Sequence, residues 1–161
     1  MAPEGTATRP TSDRVREATF NALTSLDAIE GAVVLDLFAG SGAMGIEALS
    51  RGAASATFVD SDARAVTAIR ANVGATGFED RSAVIRSDVV RHLAGGARPV
   101  GLAVLDPPYA LDDAGWGGLL GVLDAEVAVL ESDREVGIHE RWEILRVRRY
   151  GTTVVTLVAS R

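Results

Sequence analysis

Asp106, Pro107, Pro108 and Tyr109 close an apolar run from Gly101 to Leu105. Proline offers no N–H to a strand ladder, so a buried strand over Val100–Leu105 has to stop at Asp106. The two prolines fix two φ angles and remove two donors. The rigid turn that remains is rich in acceptors, namely the Asp106 carboxylate and the carbonyls around Pro107. Tyr109 adds a flat ring that can stack. Acceptors beside a stacking ring suit a planar heterocycle with an exocyclic amino group. As a bare pattern, the same four residues also make a strand-terminating turn.

A second stretch able to do chemistry is Ala39-Gly40-Ser41-Gly42-Ala43-Met44-Gly45, a G-x-G-x-x-G match. Asp60 follows 24 residues after Asp36, where an acid can bind ribose hydroxyls. That pattern is shared by nicotinamide enzymes and S-adenosylmethionine enzymes. Asp36, just ahead of the loop, favours the second. A carboxylate there would repel a pyrophosphate, but it can anchor the amino group of a methionine moiety, directly or through water. The chain also has no room for a separate dehydrogenase substrate domain. Asp88 can accept from an adenine amine, or simply cap the next helix.

Alternating elements must position these groups. Val15, Ala18, Thr19, Ala22, Leu23 and Leu26 recur at helical spacing, and Arg9-Pro10-Thr11-Ser12-Asp13 ahead of them reads as a turn and cap. Strands are expected over Ala32–Phe38, Ala56–Val59, Ala83–Arg86, Val100–Leu105 and Val127–Leu130. Helices are expected over Ala43–Arg51, Ala63–Asn72 and Trp116–Leu123, with a short one ending near Leu93. Trp142–Val147 and Thr152–Ala159, joined at Tyr150-Gly151, read as a terminal hairpin. This alternation implies an α/β fold, a doubly wound Rossmann-like sheet that is mostly parallel, with the hairpin as an antiparallel edge pair. Ligands of such sheets sit beyond the carboxyl ends of the strands. Asp36, Asp60, Asp88, Asp106 and Glu131 all fall at or beside those ends.

The 161 residues suit one domain, and 47% are apolar, enough for a packed core. The absence of cysteine excludes disulfides and thiolate metal sites, and no metal constellation is seen. A net charge of −6 argues against a broadly nucleic-acid-coating surface, but leaves room for a local basic patch. All 16 basic residues are arginine, which reads as genome composition bias. No apolar run approaches a membrane span, and a cytoplasmic monomer is the expectation. Glu47 reads as a surface acid, His92 and His139 as structural. Arg146, Arg148 and Arg149 have solvated faces as their plainer reading and phosphate contact as the other.

Asp36-Leu37-Phe38-Ala39-Gly40-Ser41-Gly42 together with Asp106-Pro107-Pro108-Tyr109 resembles the class I S-adenosylmethionine-dependent amino-methyltransferases. Arg9-Pro10-Thr11, Arg14-Val15-Arg16-Glu17, Phe20-Asn21 and Arg149-Tyr150-Gly151-Thr152 narrow the resemblance to the RsmD family. These bacterial enzymes methylate guanine N2 in 16S ribosomal RNA. The resemblance runs from about Arg9 to the end, as a single domain over 9–161. It implies S-adenosylmethionine as cofactor and 16S rRNA, in a small ribosomal subunit or its assembly intermediate, as partner. It implies Asp106, Pro107, Pro108 and Tyr109 as the catalytic group. Asp36, Phe38, Ala39, Gly40, Ser41, Gly42, Asp60, Ser61, Asp88, Val89 and Asp106 would line the cofactor, and Arg9, Thr11 and Arg14 would meet substrate. Family members usually begin with a basic, glycine-rich hairpin. Here residues 1–8 carry no basic residue and are expected to be a disordered or truncated segment. DNA adenine or cytosine amino-methylation, and dinucleotide binding without chemistry, are the competing readings.

Overall fold

The structure is a computed structural model that describes residues 10–96, 98–108, 110–138 and 140–161. Residues 1–8, Arg9, Tyr109 and His139 therefore lie outside the described residues. The elements in order are α1 (Pro10–Ser25), β1 (Val33–Leu37), α2 (Ala43–Ser50), β2 (Ser55–Asp60), α3 (Ala63–Thr76) and β3 (Ser82–Arg86). They continue with α4 (Val89–Ala94), β4 (Val100–Leu105), α5 (Asp113–Val122), β5 (Ala125–Ser132), β6 (Trp142–Tyr150) and β7 (Thr153–Ser160). A 3₁₀ turn, Glu79–Arg81, precedes β3.

The strands form one sheet of order β3-β2-β1-β4-β5-β7-β6. β1 to β5 pair in parallel, while β7 runs antiparallel to both β5 and β6. The expected α/β architecture is present, with one refinement. The terminal hairpin does not simply extend the edge in chain order, because β7 inserts beside β5 and leaves β6 outermost.

Helices cover both faces, so the central strands are apolar on both. Strand periodicity sorts their side chains. Val34, Phe58, Leu102 and Val104 point to the layer of α1, α2 and α3, packing on Phe20, Leu49 and Ile69. Leu35, Val59, Ala103 and Leu105 point to the layer of α4 and α5, packing on Leu93, Trp116 and Leu120.

The element ends differ from the sequence expectations for identifiable reasons. Pro10 opens α1 instead of preceding it, because a first-turn position loses nothing by lacking an N–H. Leu26 lies just past the end of α1 and is 44% exposed, whereas Phe20, off the expected stripe, is fully buried. α3 runs on to Thr76, since Val73 continues its buried face and Gly77, at φ 77°, supplies the left-handed stop. α5 starts three residues early because the Asp112 side chain caps it, accepting from Gly115 N–H at 2.7 Å. Its four glycines carry no helical signal of their own there.

Candidate active site

Strand register sets the site. Leu37 of β1 lies between Val59 of β2 and Leu105 of β4, and Leu105 lies beside Leu130 of β5. Asp60 ends β2 beside Arg86 of β3. The carboxyl edge therefore reads Asp88, Asp60, the Phe38–Gly42 turn, Asp106 and Glu131, in that spatial order.

The turn is held by its neighbours. Phe38, Gly40 and Gly42 take φ of 56°, 59° and 81°. Ala39 N–H donates to the Val59 carbonyl at 3.1 Å, and Gly42 N–H to the Ala39 carbonyl at 2.8 Å. Gly40 N–H donates to Asp60 Oδ2 at 2.9 Å, while Asp62 N–H donates to Asp60 Oδ1 at 2.9 Å. Asp60 is thus clamped at the groove with further lone pairs to offer. Asn72 of α3 donates to the Ser41 carbonyl at 2.9 Å. Asp88 caps α4 through Oδ1, accepting from Arg91 N–H at 3.0 Å. It stays exposed, between half-buried Ser87 and buried Val89. Ser61 is exposed beside Asp60.

Asp36 sits differently from the other acids. It is only 2% exposed, beneath the turn, and its Oδ2 accepts from Gly45 N–H at 2.9 Å. Burial pushes its pKa up to about 8, opposed by that hydrogen bond and reinforced by the negative Asp106 and Asp60. Asp36 is therefore neutral at pH 7 in the folded protein, whereas an unfolded chain ionises it near the ordinary value of 3.8. The folded pKa is the higher, so this group's stabilisation is complete below pH 4 and is lost as pH rises towards 8. Asp36→Asn removes that penalty. The variant should gain stability over the parent progressively from pH 5 to pH 8, by more than about 1 kcal/mol at the top. Denaturant midpoints at the two pH values measure this. An equal difference at both would show that Asp36 is ionised in the fold.

Asp106 and Glu131 form the other unusual pair. Their carboxyls hydrogen-bond to each other at the ends of β4 and β5. Asp106 opens to the cavity, yet packed protein around its carboxyl raises its pKa, with the Glu131 hydrogen bond opposing. Glu131 is pushed up to about 8, first by burial and then by the charge of Asp106. Both line a cavity of about 420 Å³ with Pro107, Pro108, Trp116 and Thr152. Both also line a smaller one of about 190 Å³ with Ser12, Arg16 and Met44. Sequence reasoning placed Glu131 at a strand end but not in the site. The signal available was its equivalence to Asp106 on the neighbouring strand.

Of the expected substrate contacts, Arg14 is exposed on α1, and the side chains of Arg9 and Thr11 lie outside the described residues. Glu47 is not a free surface acid. It pairs with Arg51 at 2.8 Å and with Arg16 at 3.4 Å. Among the described residues there is no group of acids and histidines able to hold a metal ion, and no helix long and apolar enough to cross a membrane.

S-adenosylmethionine fits these residues. A Cβ built on Gly40 meets nothing within 4 Å, so open space lies over the turn where a ligand must approach. Asp60 and Asp88 stand at the flank where ribose hydroxyls and an adenine amine would need acceptors. Doubly wound sheet, glycine turn after β1 and acceptor turn after β4 together define a class I methyltransferase.

The family described as Conserved hypothetical protein 95 matches residues 1–159, and the chain belongs to that family, the RsmD family. A candidate rRNA methyltransferase of Bacillus subtilis, YlbH, is 37% identical over 99% of this chain and 92% of its own length. Ribosomal RNA small subunit methyltransferase D of Escherichia coli is 35% identical over 96% and 81%. The solved structure of a candidate methyltransferase of Escherichia coli, YhhF, superposes with a TM-score of 0.85 at 32% identity, covering 100% of this chain and 90% of that one.

Proposed function

We propose that this protein transfers the methyl group of S-adenosylmethionine to N2 of a guanine in 16S rRNA, within a small ribosomal subunit or its assembly intermediate. One observation carries the reading. Leu37 and Leu105 pair directly, so the glycine turn and the Asp106-Pro107-Pro108 turn leave adjacent strands at the same level. A cofactor on the first turn and a base on the second would then touch. The names of the relatives support rRNA as substrate.

The cofactor, when bound, supplies an electrophilic methyl group on a good leaving group. The chain's task is orientation. The lone pair of guanine N2 is delocalised into the ring, so the amine is a weak nucleophile. Asp106 and the Pro107 carbonyl would accept its two N–H groups, favour a pyramidal nitrogen and turn the lone pair to the methyl group. Tyr109 would stack on the base, which has to leave its own stack to enter. As N2 gains the methyl group, its surplus proton passes to Asp106 and on to solvent. Asp60, with Ser61, would hold the ribose. Asp88, with Val89, would hold the adenine. Phe38, Ala39, Ser41 and Gly42 would shape the wall, and Asp36 would act from below on the methionine amino group. Arg9, Thr11 and Arg14 are the proposed RNA contacts.

The test is methyl transfer from labelled S-adenosylmethionine to unmodified small subunits, naked rRNA and DNA, with the products read as nucleosides by mass. N2-methylguanosine from subunits is expected. Methylated adenine or cytosine in DNA, or bound cofactor with no product on any substrate, would overturn the proposal.

A further inference from the structure

We propose that Glu131 is the base-reading residue of this site, its carboxyl accepting the N1–H of guanine while Asp106 beside it accepts the N2 amine. The inference rests on the guanine reading above and adds the residue that would select that base.

β4 and β5 are parallel and Leu105 pairs with Leu130, so Asp106 and Glu131 occupy equivalent places one strand apart. Adjacent strands lie about 4.8 Å apart. That spacing puts two carboxyl groups side by side, and they touch each other and share both cavities. Guanine is the base whose exocyclic amine neighbours a ring N–H. In adenine and cytosine the ring nitrogen beside the amine is an acceptor. Two adjacent acceptors therefore match the donor pair of guanine and oppose the donor–acceptor pair of the other two.

A second observation points to a ligand in the same cavity. Trp116 lines its wall at 1% exposure, and its indole Nε1–H has no hydrogen-bond partner. The other buried tryptophan, Trp142, donates its Nε1–H to the Leu120 carbonyl at 3.0 Å. An unmet buried donor calls for an acceptor. Guanine carries one, O6, directly next to N1–H. Two acceptors in one cavity complement its N2 and N1 edge, and the unpaired Trp116 indole packs in the wall of the same cavity.

The groups around Glu131 set how it pairs. Asp106 on β4 adds negative charge, and Asp133 lines the larger cavity. The nearest cation lining either cavity among the described residues is Arg16, already held by Asp13 at 3.0 Å and Glu47 at 3.4 Å. In the free protein the pair shares a proton, with Glu131 donating to Asp106. When guanine presents two N–H groups, that proton is released to solvent. Guanine binding should therefore tighten with pH until Glu131 has titrated, at about 8.

The discriminating probe is 2-aminopurine, which keeps the 2-amino group but has a lone pair at N1 and lacks O6. Small subunits are assembled on rRNA carrying it in place of the guanine that the protein methylates. The parent protein should prefer guanine by about 10²-fold in kcat/KM. Glu131→Met roughly keeps the volume and removes the acceptor that N1–H needs. It should collapse that preference to within about fivefold, with cofactor affinity unchanged. A merely structural role would lower both substrates together, and an unchanged preference ratio would overturn the inference. A second measurement needs no variant. The parent's KM for the guanine substrate should fall about tenfold per pH unit from 6 towards 8, while that for 2-aminopurine should not. Parallel profiles would equally overturn it. Failure of the underlying reading looks different, because the parent protein would then methylate another base.

Discussion

Asp106→Asn should reduce methyl transfer by at least about 10³-fold while leaving S-adenosylmethionine affinity within about threefold. The side chain keeps its size and one amide oxygen that can accept, but it loses the negative charge. A neutral amide oxygen accepts more weakly than a carboxylate and cannot take up the surplus proton, so it turns the N2 lone pair poorly. Cofactor affinity should survive, because the glycine turn, Asp60 and Asp88 are anchored without Asp106. The fold should survive too. Asp36 and Glu131 are both largely protonated near pH 7, so removing the Asp106 charge strands no buried ion. The expected melting temperature is within a few degrees of the parent's. Isothermal titration with the cofactor, paired with single-turnover methylation, separates the two effects. A variant that retains a tenth of the parent's turnover would remove Asp106 from the chemistry.

The largest expected effect on stability is at Gly45. A Cβ there would lie 2.4 Å from Phe58 Cε1, 2.9 Å from Phe58 Cζ and 3.1 Å from Asp36 Oδ2. Phe58 is fully buried against Ile69 and Leu49, so its ring has nowhere to go. Gly45 N–H is also the donor that Asp36 relies on. Gly45→Ala should therefore combine overpacking, about 1–3 kcal/mol, with a weakened hydrogen bond of about 1 kcal/mol. That total predicts a melting temperature lower by about 5–15 °C for a domain of this size. Gly45→Val should not accumulate as folded protein. Gly40→Ala is the control. Its φ of 59° disfavours a side chain, but nothing lies within 4 Å. It should lose roughly 1 kcal/mol of stability and far more cofactor affinity, because the methyl group enters the space over the turn. Thermal melts with and without S-adenosylmethionine distinguish the two positions. Equal melting temperatures for the parent and Gly45→Ala would refute the packing argument.

The parts of this site that could be read from the chain are those written in consecutive residues. Asp106-Pro107-Pro108 ends a strand because of what proline lacks, and Gly40 and Gly42 mark a turn because they tolerate positive φ. What could not be read depends on neighbours across the sheet. Asp36 looks like a groove residue in its heptapeptide. Its place beneath the turn follows from strand pleat and from Gly45 one helical turn on. The pairing of Asp106 with Glu131 needs the β4–β5 register, which no local pattern encodes. The start of α5 was lost among glycines that favour no conformation until Asp112 caps them. The position of β7 inside the sheet was open because alternation says which strands are half buried, not which neighbour each will take.

That position of β7 bears on how the molecule is made. Glu131 pairs with Val155, and Ser132 with Val154. The last strand thus clamps the end of β5 that carries the acceptor pair. During synthesis, β1 to β5 emerge and can associate in parallel while one long edge of β5 still lacks its partner. An unpaired edge of that kind invites non-native pairing. Closure waits until residues up to about 160 have emerged, after the more distant β1–β4 pairing can already form. The binding pocket is consequently among the last features of the nascent chain to become competent, and a nascent protein stalled before β7 would hold its glycine turn but not its finished acceptor pair.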